Sequence, residues 1–238
     1  MTEDSWHHGS VLNADQFAAQ RTLPKIQRFV EEFQDRNELS ELQTILTSSA
    51  RLGGNVVGQR PERFTEEFLI EPCLEALGYE NIRARPSELA TTNRKEPDYA
   101  VEADYEDLIC LVEAKALTLL GQETTLEENS DVEQIRGYLE ENFSTKYRTG
   151  LQQKYLVGIL TDGVYWVLFG KPVGCSDPEP LHGISLKPTI ERAIKAKQHP
   201  TQTSDSWRVE ERNRLEADFS SRFSPNQVYK AILSEFSE

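Results

Sequence analysis

The stretch Asp107-Leu-Ile-Cys-Leu-Val-Glu-Ala-Lys115 decides the fold. Alternation along an extended chain puts Ile109, Leu111, Glu113 and Lys115 on one face and Leu108, Cys110, Val112 and Ala114 on the other. Both faces are apolar until the last few residues, so the segment reads as a central strand buried on both sides. Two charges then stand on one face, two residues apart. Burying a charge is costly unless it is paired or bound to a metal. Glu113 and Lys115 therefore call for either a salt bridge at the strand end or an ion.

Upstream, Asp98 opens a second strand-like segment, DYAVEA, separated from the first by an acidic turn around 104–107. A hairpin centred near Tyr105 sets Asp98 level with Glu113, so two carboxylates and an amine converge at one end of the sheet. Carboxylate oxygens are hard ligands suited to Mg²⁺, with Mn²⁺ an acceptable substitute. A lysine beside them can orient or activate the attacking water and steady charge on a phosphorane. Together these are the parts needed for metal-assisted phosphodiester hydrolysis.

The joint pattern of Pro97-Asp98 and then, fifteen positions after Asp98, Glu113-Ala114-Lys115 resembles the PD-(D/E)XK nuclease superfamily. The resemblance implies that Asp98, Glu113 and Ala114 hold the metal and that Lys115 is the catalytic lysine. The segment ERFTEEFLIEPCLEALGYE, from Glu62 to Glu80, looks like the opening helix of the nuclease domain in type I restriction enzyme R subunits and related stand-alone proteins. Ile70, Pro72, Leu74, Leu77, Gly78 and Tyr79 match that pattern. By family position the helix carboxylate falls on Glu62, with Glu66 the alternative. Both project onto the stripe of Ile70, Cys73 and Leu77, which faces the sheet. Gln134 and Tyr138 are similar to the Gln-X-X-X-Tyr element of the same branch, which approaches DNA or the site. Val132, Ile135, Leu139 and Phe143 form the packing face of their helix, and Gln134 and Tyr138 lie on its flank. The resemblance spans roughly residues 60–190. It implies an α/β fold: a restriction-endonuclease-like core with a mixed central β-sheet flanked by helices, plus N- and C-terminal helical extensions. The expected boundaries are 1–55, 56–200 and 201–238. No Walker A motif or helicase domain follows, so a complete type I translocating subunit is not expected.

Outside the core pattern, residues 14–50 read as helical, and Pro24 there would start or kink a helix. The glycine-rich RLGGNVVGQR, Arg51 to Arg60, reads as a loop. Pro61 then suits the first position of a helix that stops at Gly78. Residues 130–143 read as a charged amphipathic helix. KYLVGIL (154–160) and VYWVLFG (164–170) read as two strands joined at Asp162-Gly163, a hairpin signal in which both turn residues accept positive φ. A short strand near 182–187, a helix from Pro188 to about Gln198, a linker at 199–206 and two terminal helices complete the pattern.

The net charge of -14, from 40 acidic and 26 basic residues with 16 arginines against 10 lysines, suits either a high-salt cytoplasm or an ordinary acidic protein. It opposes DNA binding in bulk, so a nucleic-acid site has to be locally basic or bridged by metal. The segment NIRARPSELATTNRKEP supplies a small basic island, Arg83, Arg85, Arg94 and Lys95, leading into Asp98; it reads equally as a solvated loop. Arg60, Arg63, Lys146 and Arg148 are further candidates. Cys73, Cys110 and Cys175 lack the paired spacing of a disulfide framework or zinc site. The N-terminus has no apolar signal region and no apolar run of membrane-spanning length occurs, so a cytoplasmic location is expected. The functional expectation is a Mg²⁺-dependent DNA endonuclease in restriction, defence or DNA processing, working with restriction-system subunits or as a homodimer. The alternatives are a catalytically weak nuclease fold kept for DNA binding or assembly, and an acidic DNA mimic.

Overall fold

In the computed structural model, which describes residues 13–48, 50–86, 96–102, 108–118, 120, 130–141, 154–174, 177–201 and 206–236, the run Leu108–Ala114 forms β3 of a six-stranded sheet. The strands lie side by side in chain order: β1 (Glu80–Ala84), β2 (Tyr99–Glu102), β3, β4 (Tyr155–Thr161), β5 (Tyr165–Pro172) and β6 (Glu179–Ser185). Every neighbouring pair is antiparallel except β3 and β4, which run parallel. Parallel neighbours cannot be joined by a tight hairpin, and the connection here contains α6 (Ser130–Glu141). The fold is thus mixed α/β, a mixed sheet flanked by helices, consistent with a restriction-endonuclease-like core.

The two faces of β3 bury different partners. Leu108, Cys110, Val112 and Ala114 join the larger core, whereas Leu111 joins a second cluster with Val132, Ile135, Tyr138 and Leu139 of α6. Gly158 of β4 makes this second layer thin. A Cβ there would lie 2.7 Å from Ile135 Cγ1 and 3.2 Å from Leu139 Cδ1, so only glycine lets α6 settle this close to the strand. The larger core collects α1 (Ala14–Asp35), α2 (Leu39–Ser48), the helix beginning at Pro61 and the C-terminal helices. Phe33, Phe64 and Phe29 stack edge-on or tilted against one another there, and Trp166 meets Phe219 and Phe223. Residues of both terminal segments belong to this one cluster.

Several elements depart from the sequence pattern. Pro24 sits inside α1 and starts no helix. The glycine-rich loop contains a one-turn helix, α3 (Gly54–Val57), ended by Gly58 at φ 70°. The helix beginning at Pro61 runs as α4 (Pro61–Thr65), one π turn (Glu66–Ile70) and α5 (Glu71–Leu77), stopping at Gly78 with φ 101°. Pro72 accounts for the π turn. It has no N–H to donate to the Phe68 carbonyl and its ring crowds that carbonyl, so the backbone widens and Glu71 N–H reaches back to Glu66 O. Glu80, which ends the helix-like segment, and residues 81–84, which open the stretch read as a basic island or solvated loop, form the edge strand β1, whose side chains are mostly exposed. Only Gly163 of the Asp162-Gly163 turn has positive φ, 80°. Asp162 instead accepts backbone N–H groups from Val164 and Tyr165 with its carboxylate. β6 begins three residues earlier than expected, at Glu179, and α7 (Lys187–Gln198) one residue before Pro188. The chain ends in α8 (Trp207–Arg214), which continues through a second π turn (Leu215–Ser220) into α9 (Ser221–Phe223), and then α10 (Pro225–Phe236).

Candidate active site at the end of β3

β2 and β3 pair with Tyr99 opposite Val112, Ala100 opposite Leu111 and Val101 opposite Cys110. One step further in that register, Asp98 stands opposite Glu113, and residues opposite each other across a sheet share a face. The Asp98 carboxylate is held by the strand end itself, its Oδ2 accepting the Ala114 N–H at 2.8 Å. Burial pushes its pKa up to about 6; the Ala114 N–H pulls the other way, and the charges of Glu66 and Glu62 add to the rise.

Glu113 is only 3% exposed. Its Oε1 takes a hydrogen of the Lys115 ammonium at 2.7 Å, while its Oε2 is buried with no hydrogen-bond partner. The Tyr138 hydroxyl lies nearby and donates to the Glu96 carbonyl at 2.8 Å, while its proximity to the carboxylate helps hold the Glu113 pKa down. Burial and the Asp98 charge push the Glu113 carboxyl up, and Lys115 pulls it back. Burial works to lower the Lys115 ammonium, but Glu113, then Asp131 and Asp98, outweigh it and hold the ammonium above its ordinary range.

From α6, Gln134 Oε1 accepts from Lys115 Nζ at 3.1 Å and Gln134 Nε2 donates to the Tyr138 hydroxyl at 2.8 Å. A directional chain results: lysine to glutamine amide, amide to phenol, phenol to the backbone just before Asp98. Tyr138 is therefore buried, 2% exposed, and not on a flank. It holds α6 against the segment leading into β2 and presents no ring to the surface. Asp131, three residues before Gln134, places Oδ1 3.5 Å from Lys115 Nζ. Nothing in the sequence pattern singled it out, since an acid in the first turn of a helix is ordinary.

On the other face, Tyr99 carries the site towards the Pro61 helix. Its hydroxyl lies 2.9 Å from Glu66 Oε2 and 2.7 Å from Glu71 Oε1. Burial raises the phenol's pKa, and so do both carboxylates. Glu66 is 3% exposed and also faces Arg63 at 3.4 Å; Glu62 is exposed at the start of the helix. The turn after Lys115 is tied at three points. Leu117 N–H donates to Thr65 Oγ1, Thr118 Oγ1 donates to the Ala50 carbonyl, and Leu120 N–H donates to Asp162 Oδ2. Thr65 carried no signal beyond being polar at the edge of an apolar run, and the sequence marked Asp162 only as a hairpin-turn residue, not as an anchor for the Leu120 N–H.

Arg83 and Arg85 are exposed at β1 and its end. Arg94, Lys95, Lys146, Arg148, Phe143, Cys175 and the turn around 104–107 lie outside the described residues. Cys73 and Cys110 are buried thiols, each pushed up to about 12 by burial. A cavity of about 380 Å³ between α2 and α7, lined in part by Gln43, Ile194, Lys195 and His199, contains none of the site residues.

Asp98 and Glu113 are the residues at this strand end that could hold a hard divalent cation. Glu113 Oε2 is a buried carboxylate oxygen without a hydrogen-bond partner, and the Asp98 charge presses on it. Among the described residues no three or more His, Cys, Asp or Glu side chains form a metal-holding group. Mg²⁺ does not need one, being commonly held by one or two carboxylates plus water and phosphate.

No helix among the described residues is long and apolar enough to cross a membrane. No protein-family model matches the chain, and no solved structure matches it. Over 142 residues, 59% of its length, the chain is 30% identical to a protein of Methanocaldococcus jannaschii named "Putative type II restriction enzyme and methyltransferase". The match spans 11% of that protein, so this chain resembles one small part of a much larger protein.

Proposed function

We propose that the chain is a divalent-metal-dependent endodeoxyribonuclease of the PD-(D/E)XK type, acting in restriction, defence or DNA processing. One observation carries the proposal: Asp98 and Glu113 stand opposite each other at a strand end, with an unpartnered Glu113 oxygen and a lysine ammonium beside them. The name of the relative supports restriction as the setting. In this proposal Asp98, Glu113 and the Ala114 carbonyl hold Mg²⁺, or Mn²⁺ in its place. The ion, when bound, supplies Lewis-acid stabilisation and a more acidic water.

The chain's own groups do the rest. Ala114 N–H fixes the rotamer of Asp98, so little reorganisation is left for the reaction. Gln134, itself held by Tyr138, aims Lys115 at the place where negative charge grows on the phosphorus oxygens. Glu66 is better placed than Glu62 as the helix carboxylate, because it is buried and anchored by Tyr99. Arg83 on the edge strand and Arg85 just past its end are the described candidates for phosphate contacts, with Arg94 and Lys95 preceding Asp98 in sequence. The net charge of -14 favours a second reading, a nuclease fold kept for DNA binding or assembly with partner subunits or a second copy.

Supercoiled plasmid incubated with the protein and Mg²⁺ or Mn²⁺, at low and at molar salt, separates the two. Nicking or linearisation by the wild type that Lys115→Ala abolishes supports the enzyme. Equal cutting by both rejects the catalytic assignment, and no cutting in either metal favours the binding module.

A further inference from the structure

The Lys115 ammonium has three hydrogens, and three acceptors surround it: Glu113 Oε1 at 2.7 Å, Gln134 Oε1 at 3.1 Å and Asp131 Oδ1 at 3.5 Å. A lysine that is to steady a phosphate oxygen needs one hydrogen to offer, so one acceptor has to yield. Glu113 is the shortest and most buried of the three contacts, its side chain 4% exposed. Gln134 is locked by its bond to Tyr138, which is anchored in turn on the Glu96 carbonyl. Asp131 lies beyond the ordinary N–H···O range and its side chain is 20% exposed. It is the loosest partner and the one solvent reaches.

We propose that Asp131 is a placeholder: its carboxylate stands as an ion-pair partner on the third side of the Lys115 ammonium in the free protein and yields that place to a phosphate oxygen of the entering DNA. The proposal rests on the nuclease reading above. No covalent bond changes; a carboxylate contact is exchanged for a phosphate contact on the same ammonium. Because Asp131 and the phosphate carry like charge, the placeholder opposes entry, and a phosphate has to be well seated on Lys115 to replace it.

The test is a double-mutant cycle on DNA binding, read by anisotropy of a fluorescein-labelled duplex, once without metal and once with Ca²⁺. Asp131→Asn keeps the shape and removes the charge. It is expected to tighten binding by up to about fivefold, and Asp131→Glu to leave it unchanged. The gain is expected to vanish in a Lys115→Met background. Glu133→Gln removes the same charge from an exposed position on the same helix, paired with Arg136, and is expected to show no coupling to Lys115. Matched thermal midpoints for wild type and Asp131→Asn verify that the fold is intact. Unchanged or weaker binding by Asp131→Asn overturns the proposal, as does an equal gain with and without Lys115. Duplex binding with the expected coupling, but no plasmid cleavage in Mg²⁺ or Mn²⁺, refutes the nuclease and leaves the placeholder standing in a DNA-binding module. Absence of duplex binding in both arms refutes both.

Discussion

Asp98→Asn should make the metal-free protein more stable, and only at higher pH. The wild-type carboxyl ionises at 3.8 in its ordinary state and at about 6 in the folded protein. A group whose folded pKa is raised binds more protons in the native state, so wild-type stability falls as pH climbs from 3.8 through 6. At about 1.4 kcal/mol per pH unit that interval corresponds to about 3 kcal/mol. Partial exposure of Asp98 and solvent screening reduce it to about 1.5 kcal/mol. Asparagine removes the ionisation but keeps an oxygen to accept the Ala114 N–H. The variant should therefore match the wild type near pH 3.8 and exceed it well above pH 6, by about 3–6 °C in melting midpoint for a chain of this size. Thermal denaturation in EDTA across that range measures it. Millimolar Mg²⁺ should then raise the wild-type midpoint but not the variant's, since a ligand stabilises only the state that binds it. Destabilisation by Asp98→Asn at high pH, or an offset that does not change with pH, would refute the account of a carboxylate held at an energetic cost for an ion.

Glu66→Gln is expected to lower plasmid cleavage about 10- to 100-fold, the usual effect of removing a group that orients a metal site, while Glu62→Gln changes it little; equal effects would mean the π turn does not select between them. Thr65→Val keeps the shape but deprives the buried Leu117 N–H of its acceptor. It should cost about 1–3 kcal/mol in urea unfolding and reduce cleavage, whereas Thr65→Ser should retain the bond. Gly163→Ala places a side chain at φ 80° and a Cβ 2.6 Å from Leu69 Cδ2. A loss of at least about 1–2 kcal/mol is expected, and an unchanged unfolding midpoint would show that the turn relaxes.

Where a residue's neighbours in sequence are also its neighbours in space, the sequence could be read directly. The β3 strand announces itself because both faces are apolar up to Glu113, and strand periodicity then assigns each side chain its face. The level of Asp98 against Glu113 followed from counting outward from a turn, as the Tyr99–Val112 register bears out. What could not be read depended on contacts made at a distance or on backbone irregularity. β1 has one partly buried apolar residue, Ile82, so an edge strand looks like a loop. A uniform helical projection cannot choose between Glu62 and Glu66, because the π turn caused by Pro72 alters the helical phase beginning at Glu66. Tyr138 looks like a flank residue until Gly158 lets α6 approach the sheet. Asp131 becomes a partner of Lys115 only through that same approach.

The most direct measurement is an anomalous difference map from a crystal of the protein soaked in Mn²⁺. The account predicts a peak bounded by the Asp98 carboxylate, Glu113 Oε2 and the Ala114 carbonyl, and its loss in Asp98→Asn. Manganese bound elsewhere, or a Glu113 oxygen still unliganded at saturating Mn²⁺, would contradict it.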